Sequence, residues 1–150
     1  MLQLSTPKLL PWALLTLRIG LGVVFIAHGG QKLFGLWGGA GLSITMESFE
    51  RSMGIPPWLT VIASATEFFG GVAVLVGLLT RLASLGLGVV MLVAVFQAHI
   101  KHGFFINWDL TRGVGHGIEF NIALSAMALC LMLAGPGRLS LDQCLKFEGD

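Results

Sequence analysis

Long apolar stretches separated by short polar ones dominate the chain. Four of them reach the roughly 20 residues that a helix needs to cross the hydrocarbon of a bilayer. They fall at Leu10–Phe34, Trp58–Leu79, Leu82–Ile100 and Gly113–Leu133. None alternates with period two, so a β-barrel reading fails. The pattern predicts an all-α membrane protein, a bundle of four transmembrane helices. Only Thr80-Arg81 separates spans two and three, which must therefore be antiparallel neighbours. Between spans one and two, "SITMESFERSM" puts Met46, Phe49 and Met53 on one helical face and Glu47, Glu50 and Arg51 on the other. This predicts a short helix lying in the membrane interface. Pro56-Pro57 ends it and opens span two. Gly135-Pro136 stops span four, and Ser140 with Gln143 has capping-box spacing for a short tail helix.

Composition supports this reading. Of the 150 residues 55% are apolar and 11% are charged, and the mean hydropathy is +0.84. Residues 1–150 are read as one transmembrane domain with the bilayer as surroundings and no soluble domain. A net charge of +1 gives no reason to expect nucleic acid. Lys8 precedes the first apolar run as a signal peptide's basic region would. That run is about twice the usual length and lacks an A-x-A site, so it is read as a retained span. Cys130 and Cys144 form no CxxC or zinc spacing and are read as reduced and structural. Glycines within the spans (Gly20, Gly22, Gly70, Gly71, Gly77, Gly86, Gly88) permit close helix approach, and self-association into a homo-oligomer is in keeping with them.

The chain also echoes itself. "GLGVV" occurs at Gly20–Val24 and Gly86–Val90, and "EF" at Glu67-Phe68 and Glu119-Phe120. Two matches in the same order predict a duplicated helical hairpin. Lys8, Arg81, Arg138 and Lys146 gather on one side, and Arg51 and Arg112 on the other, with Lys32 and Lys101 near helix ends. The positive-inside rule then places both termini in the cytoplasm of a bacterial or archaeal cell, the protein crossing its inner membrane several times.

The remaining polar residues converge by topology alone. His28 and Lys32 end span one, and His99 ends span three with Lys101 and His102 beyond it. His116 and Glu119 open span four on that same far side. Glu67 lies roughly 14 Å into span two by helical rise. A lone charge there costs several kcal/mol, so Glu67 must be protonated or paired, with Lys32, Arg18 and the histidines available as partners. His28 and Lys32, at i and i+4, share a face. The expectation is a His/Lys/Glu pocket in the outer half of the bundle. The rival reading makes these residues hydrogen-bond glue between helices, or cations that snorkel to the interface. Arg18 is read as an anchor in the opposite half, with a structural pairing to Glu67 or a backbone carbonyl as its rival.

Several ligands are compatible with such a pocket. A quinone or other small aromatic redox molecule wants an apolar slot, a donor for its carbonyl and a proton source, which His28, Lys32 and Glu67 could supply. Haem held by His28 and His99 fits less well. So does a metal on His28, His99, His116 and Glu119, since no ligand spacing supports it and no residue is assigned to a metal.

The pieces "RIGLGVVFIAHGGQKLFG" from Arg18, "TEFFGGVAVLVGLLTR" from Thr66, "GHGIEF" from Gly115 and "GPGRLSLD" from Gly135 together resemble the DoxX family of small four-helix membrane proteins. The family's recurring positions map onto Arg18, His28, Gly29, Lys32, Glu67, Glu119, Gly135, Gly137, Ser140 and Asp142. The resemblance implies a membrane oxidoreductase subunit, linked through the family's namesake to an archaeal quinol oxidase and to quinone or thiol stress. The paired cysteines of thiol chemistry are missing here, so a thiol role would need a redox partner protein.

The reading that results is an accessory or quinone-interacting oxidoreductase component. Glu67 and Glu119 are the candidate catalytic, proton-handling groups; Arg18, His28, Lys32 and His99 are the candidate ligand-binding groups. The alternatives are a non-enzymatic scaffold or assembly factor for a respiratory or stress-response complex, and a small proton-coupled transporter.

Overall fold

A computed structural model describes residues 6–145. Helix α1 spans Thr6–Phe34, followed by a 3-10 turn at Leu36–Gly38 and α2 at Gly41–Met53. Helix α3 spans Pro57–Val76 and α4 spans Thr80–Ala94. A π turn (Val95–His99) and a 3-10 turn (Ile100–His102) prolong α4. Helices α5, Glu119–Ala134, and α6, Leu141–Leu145, complete the chain. Among the described residues there is no strand. Lys8–Phe34, Pro57–Val76 and Thr80–His102 are long and apolar enough to cross a membrane, and α5 is a shorter apolar helix.

Helix α1 packs along α3 and α4 along α5. The α3–α4 and α1–α5 contacts join the two pairs. Leu14, Leu21 and Phe25 of α1 meet Val74, Leu87, Met91, Leu124, Ala128 and Leu131 in the core. The outward faces are apolar too: Ile19, Val23, Phe69, Leu85, Val89 and Leu133 are all exposed. A surface of that composition suits lipid, and in water it would aggregate.

Two boundaries depart from the sequence expectation in ways that move candidate residues. The break between α3 and α4 lies at Gly77–Leu79, not at Thr80-Arg81, because Gly77 ends α3 in a left-handed conformation (φ 74°). The last apolar helix starts at Glu119, not Gly113. Its expected first turns hold Gly113, Gly115 and Gly117, and each glycine costs a helix about 1 kcal/mol. The N–H groups of Gly117 and Ile118 go instead to the carbonyls of Phe105 and Gly103. His116 therefore lies in a loop over residues 103–118. Lys146, counted among the near-side charges, lies outside the described residues.

Helix α2 has the predicted faces, with Glu47, Glu50 and Arg51 exposed and Met46, Phe49 and Met53 half-buried. It packs on α1 and α3. Pro57 opens α3 at its first turn.

Gly29 fixes how closely α1 and α3 approach, since a Cβ there would overlap the backbone of Phe68. Gly29→Ala is expected to force the helices apart and cost about 1–3 kcal/mol. Gly20 offers the control, because its nearest neighbour is the flexible Met127 Cε at 3.4 Å. Thermal unfolding in detergent should show a lower midpoint for Gly29→Ala than for Gly20→Ala. Equal midpoints would show that the approach at Gly29 is not tight.

Candidate functional site

The close approach at Gly29 places the end of α1 against the middle of α3. Lys32 Nζ lies 2.5 and 2.6 Å from the two carboxylate oxygens of Glu67. Glu67 is 3% exposed and Lys32 27%. The Phe49 ring of α2 lies 5.9 Å from the same ammonium, near enough for a cation–π contribution.

This ion pair borders a cavity of about 380 Å3. Val24, Phe25 and His28 of α1 line it beside the pair, with Met91 and Ala94 of α4. Helix α5 contributes Phe120, Asn121 and Leu124, and the 103–118 loop contributes Ile106, His116 and Gly117. His99 comes from the π turn, whose wider backbone changes which way the following side chains face. Its Nδ1 lies 2.8 Å from the carbonyl oxygen of His116. A carbonyl only accepts, so Nδ1 carries the proton and a neutral His99 keeps Nε2 as an acceptor.

Glu119 stands outside the cavity lining. Its Oε2 accepts the N–H of Ile106 at 2.9 Å, and its own N–H donates to the carbonyl of Phe104. It therefore fastens the loop that supplies Ile106 and His116. His102 packs against Gly115 of that loop. Among the described residues no group of three His, Cys, Asp or Glu side chains is placed to hold a metal ion.

Arg18 belongs to a second polar cluster, separate from the cavity. It is 1% exposed. Nε donates to the carbonyl of Val74 at 2.9 Å and Nη2 to that of Leu75 at 2.8 Å. Nη1 donates to Pro136 and Leu139 at 3.1 and 2.6 Å. Two of these carbonyls belong to the last turn of α3, where helical partners run out; that of Val74 also accepts the Gly77 N–H at 3.2 Å. Across the Gly77–Leu79 turn, Asp142 accepts the N–H groups of Leu79 and Thr80 at 2.6 and 2.9 Å, and the Thr80 hydroxyl at 2.9 Å. Leu79 cannot cap α4 with its own side chain, so the tail supplies the carboxylate. A cation at the end of one helix and an anion at the start of the next also match the helix dipoles. The tail is held for this task by the Asp142 N–H on the Gly77 carbonyl and by Ser140 Oγ, which accepts the N–H of Gln143.

A model of the DoxX family matches residues 13–100, more than half of the chain. The chain belongs to the DoxX family. A Bacillus subtilis (strain 168) protein named "Putative oxidoreductase CatD" is 30% identical over 85% of this chain and 83% of its own length. "Inner membrane protein YqjF" of Escherichia coli (strain K12) is 29% identical over 92% of this chain and 95% of its own. "Uncharacterized membrane protein Rv3486" of Mycobacterium tuberculosis is 30% identical over 94% of this chain and 88% of its own. No solved structure matches. With its apolar outer surface, this DoxX-family chain is an integral membrane protein.

Most of the family positions noted in the sequence fall into two places, and Glu119 lies apart from both at the start of α5. His28, Lys32 and Glu67 line the cavity together with His99, and Gly29 sets the approach of α1 to α3 beside it. Arg18, Ser140 and Asp142 meet at the α3–α4 turn, with Gly135 and Gly137 in the segment that leads there. Sequence reasoning missed Asn121, a lone carboxamide in an apolar helix, which is 5% exposed and lines the cavity.

Proposed function

We propose that this DoxX-family protein is a four-span redox component of the inner membrane whose cavity binds a quinone. The observation that carries the reading is the Lys32–Glu67 ion pair on the wall of a mostly apolar cavity. A cavity of about 380 Å3 falls in the range of small-molecule sites, which are apolar with a few convergent polar groups. Val24, Phe25, Phe120 and Leu124 would hold a ring, while Lys32 and His28 would donate to its oxygen. Conversion of a quinone to a quinol takes up two electrons and two protons. Glu67 and Lys32 can pass protons, and a redox partner protein supplies the electrons. Glu119 positions the loop and Arg18 ties the helices, so neither needs to touch the ligand.

In this reading α5 also crosses the membrane. At 16 residues it is about 24 Å long, and the 103–118 loop fills the remaining depth. Exposed Trp37, Trp58, Phe105 and Trp108 would sit in the far interface, beside α2, and Trp12 in the near one. An even number of spans leaves both termini on the same side, which the positive-inside rule makes the cytoplasmic one. Duplication of a hairpin is supported by burial. Leu14, Arg18, Leu21 and Phe25 of α1 match Thr80, Ser84, Leu87 and Met91 of α4 at the 66-residue offset of the two "GLGVV" words. The "EF" words do not share such a register, because Glu67 is buried mid-helix and Glu119 is half-buried at a helix start.

The test is titration of duroquinone into nanodiscs holding the wild type or a Lys32→Met, Glu67→Leu double variant, read by tryptophan fluorescence. Saturable binding that weakens about tenfold or more in the variant is expected. Equal binding, or none in the wild type, would refute the reading.

A further inference from the structure

Asn121 opens a question that the ion pair does not. A carboxamide offers two donor hydrogens and an acceptor oxygen. Among the described residues the one hydrogen-bond partner of its side chain is the thioether of Met91, with Nδ2 3.6 Å from Sδ. Sulfur is a weak acceptor, and buried polar groups normally find strong partners. Yet Asn121 is 5% exposed, and it lines the same cavity as His28, Lys32 and Glu67. It stands on α5, whereas those three stand on α1 and α3.

The cavity therefore has oxygen-binding groups on two separate sets of helices, and the rest of its lining is mostly apolar. The two sets differ in kind. Lys32, Glu67 and His28 can exchange protons. A carboxamide donates a hydrogen bond and keeps its proton, so it holds an oxygen without protonating it. A ring with one oxygen would satisfy one set and leave the other unmet. A ring with oxygens at opposite ends would satisfy both.

We propose that Asn121 is a second oxygen anchor, and that the ligand class is a cyclic para-dicarbonyl compound bound across the cavity. One carbonyl oxygen accepts from Asn121 Nδ2, and the other accepts at Lys32 and His28. This rests on the quinone reading above and deepens it. It also predicts unequal ends, with protons reaching the oxygen on the Lys32 side.

The experiment compares duroquinone with durenol, which keeps the methylated ring and one oxygen, in nanodiscs holding the wild type, Asn121→Leu or Asn121→Ala. Leucine is close to asparagine in size and suits the neighbours Met91 and Leu124. Circular dichroism and a thermal midpoint check each fold. The wild type should bind duroquinone about tenfold more tightly than durenol, the discrimination expected of one hydrogen bond. The variants should lose that preference and keep durenol affinity. A wild type that binds both equally overturns the proposal without any variant. A folded Asn121→Leu protein that keeps the full preference overturns it while leaving the quinone reading intact. A wild type that binds neither overturns both.

Discussion

Arg18→Met should cost the protein about 3 kcal/mol or more of stability, and most of its folded yield in the membrane. Methionine is unbranched and fills a similar space, so lost packing is a small part of the effect. The guanidinium serves four carbonyls, those of Val74, Leu75, Pro136 and Leu139. Hydrogen bonds to a charged group contribute about 1.5–3 kcal/mol each and do not simply add. The variant strands these acceptors in a place without water, and it removes the cation near the buried Asp142 carboxylate. Lysine keeps the charge but lacks the planar fork, so Arg18→Lys should fall between the two. Thermal unfolding in detergent checks the order wild type, Arg18→Lys, Arg18→Met. A methionine variant with the wild-type midpoint would show that the cluster is not needed to hold the α3–α4 turn to the tail.

The second large effect concerns Lys32 and Glu67, where stability and function should separate. Glu67→Leu leaves an ammonium facing apolar walls and should cost about 2–4 kcal/mol, discounted because Lys32 is 27% exposed. Lys32→Met leaves a carboxyl that can take up a proton, so its cost should be smaller. The double variant Lys32→Met, Glu67→Leu exchanges the pair for apolar side chains of similar size and should recover most of the lost stability. A double-mutant cycle should give a coupling of about 1–3 kcal/mol. The recovered protein should still bind quinone about tenfold or more weakly than the wild type. If it binds quinone as the wild type does, the pair is a helix fastening and nothing more.

The sequence carried the apolar lengths, the helix-breaking prolines and the polar residues at the far end of the spans. It predicted Lys32 among the partners of Glu67 because a mid-span carboxylate must find one. It could not say that Lys32 would be the one to reach the carboxylate, since that depends on Gly29 letting α1 settle on Phe68. Hydropathy also extended the last span back to Gly113. Val114 and Ile118 are apolar there, but the glycines and the hydrogen bonds of the loop decide the backbone. The Arg18–Asp142 cluster was present only as separate words, because its members lie at opposite ends of the chain and are joined by carbonyls that carry no side-chain signature. Asn121 stayed hidden for another reason: one neutral polar residue in an apolar helix has no spacing to give it away.

The most direct test of a ligand site at the Lys32–Glu67 pair is mass analysis of the small molecules that leave the membrane with the gently purified protein. The double variant, purified alongside from the same membranes, provides the comparison. A quinone enriched over bulk lipid with the wild type, and absent from the variant, is the predicted result. The same lipid profile from both proteins, with no quinone above background, would contradict it.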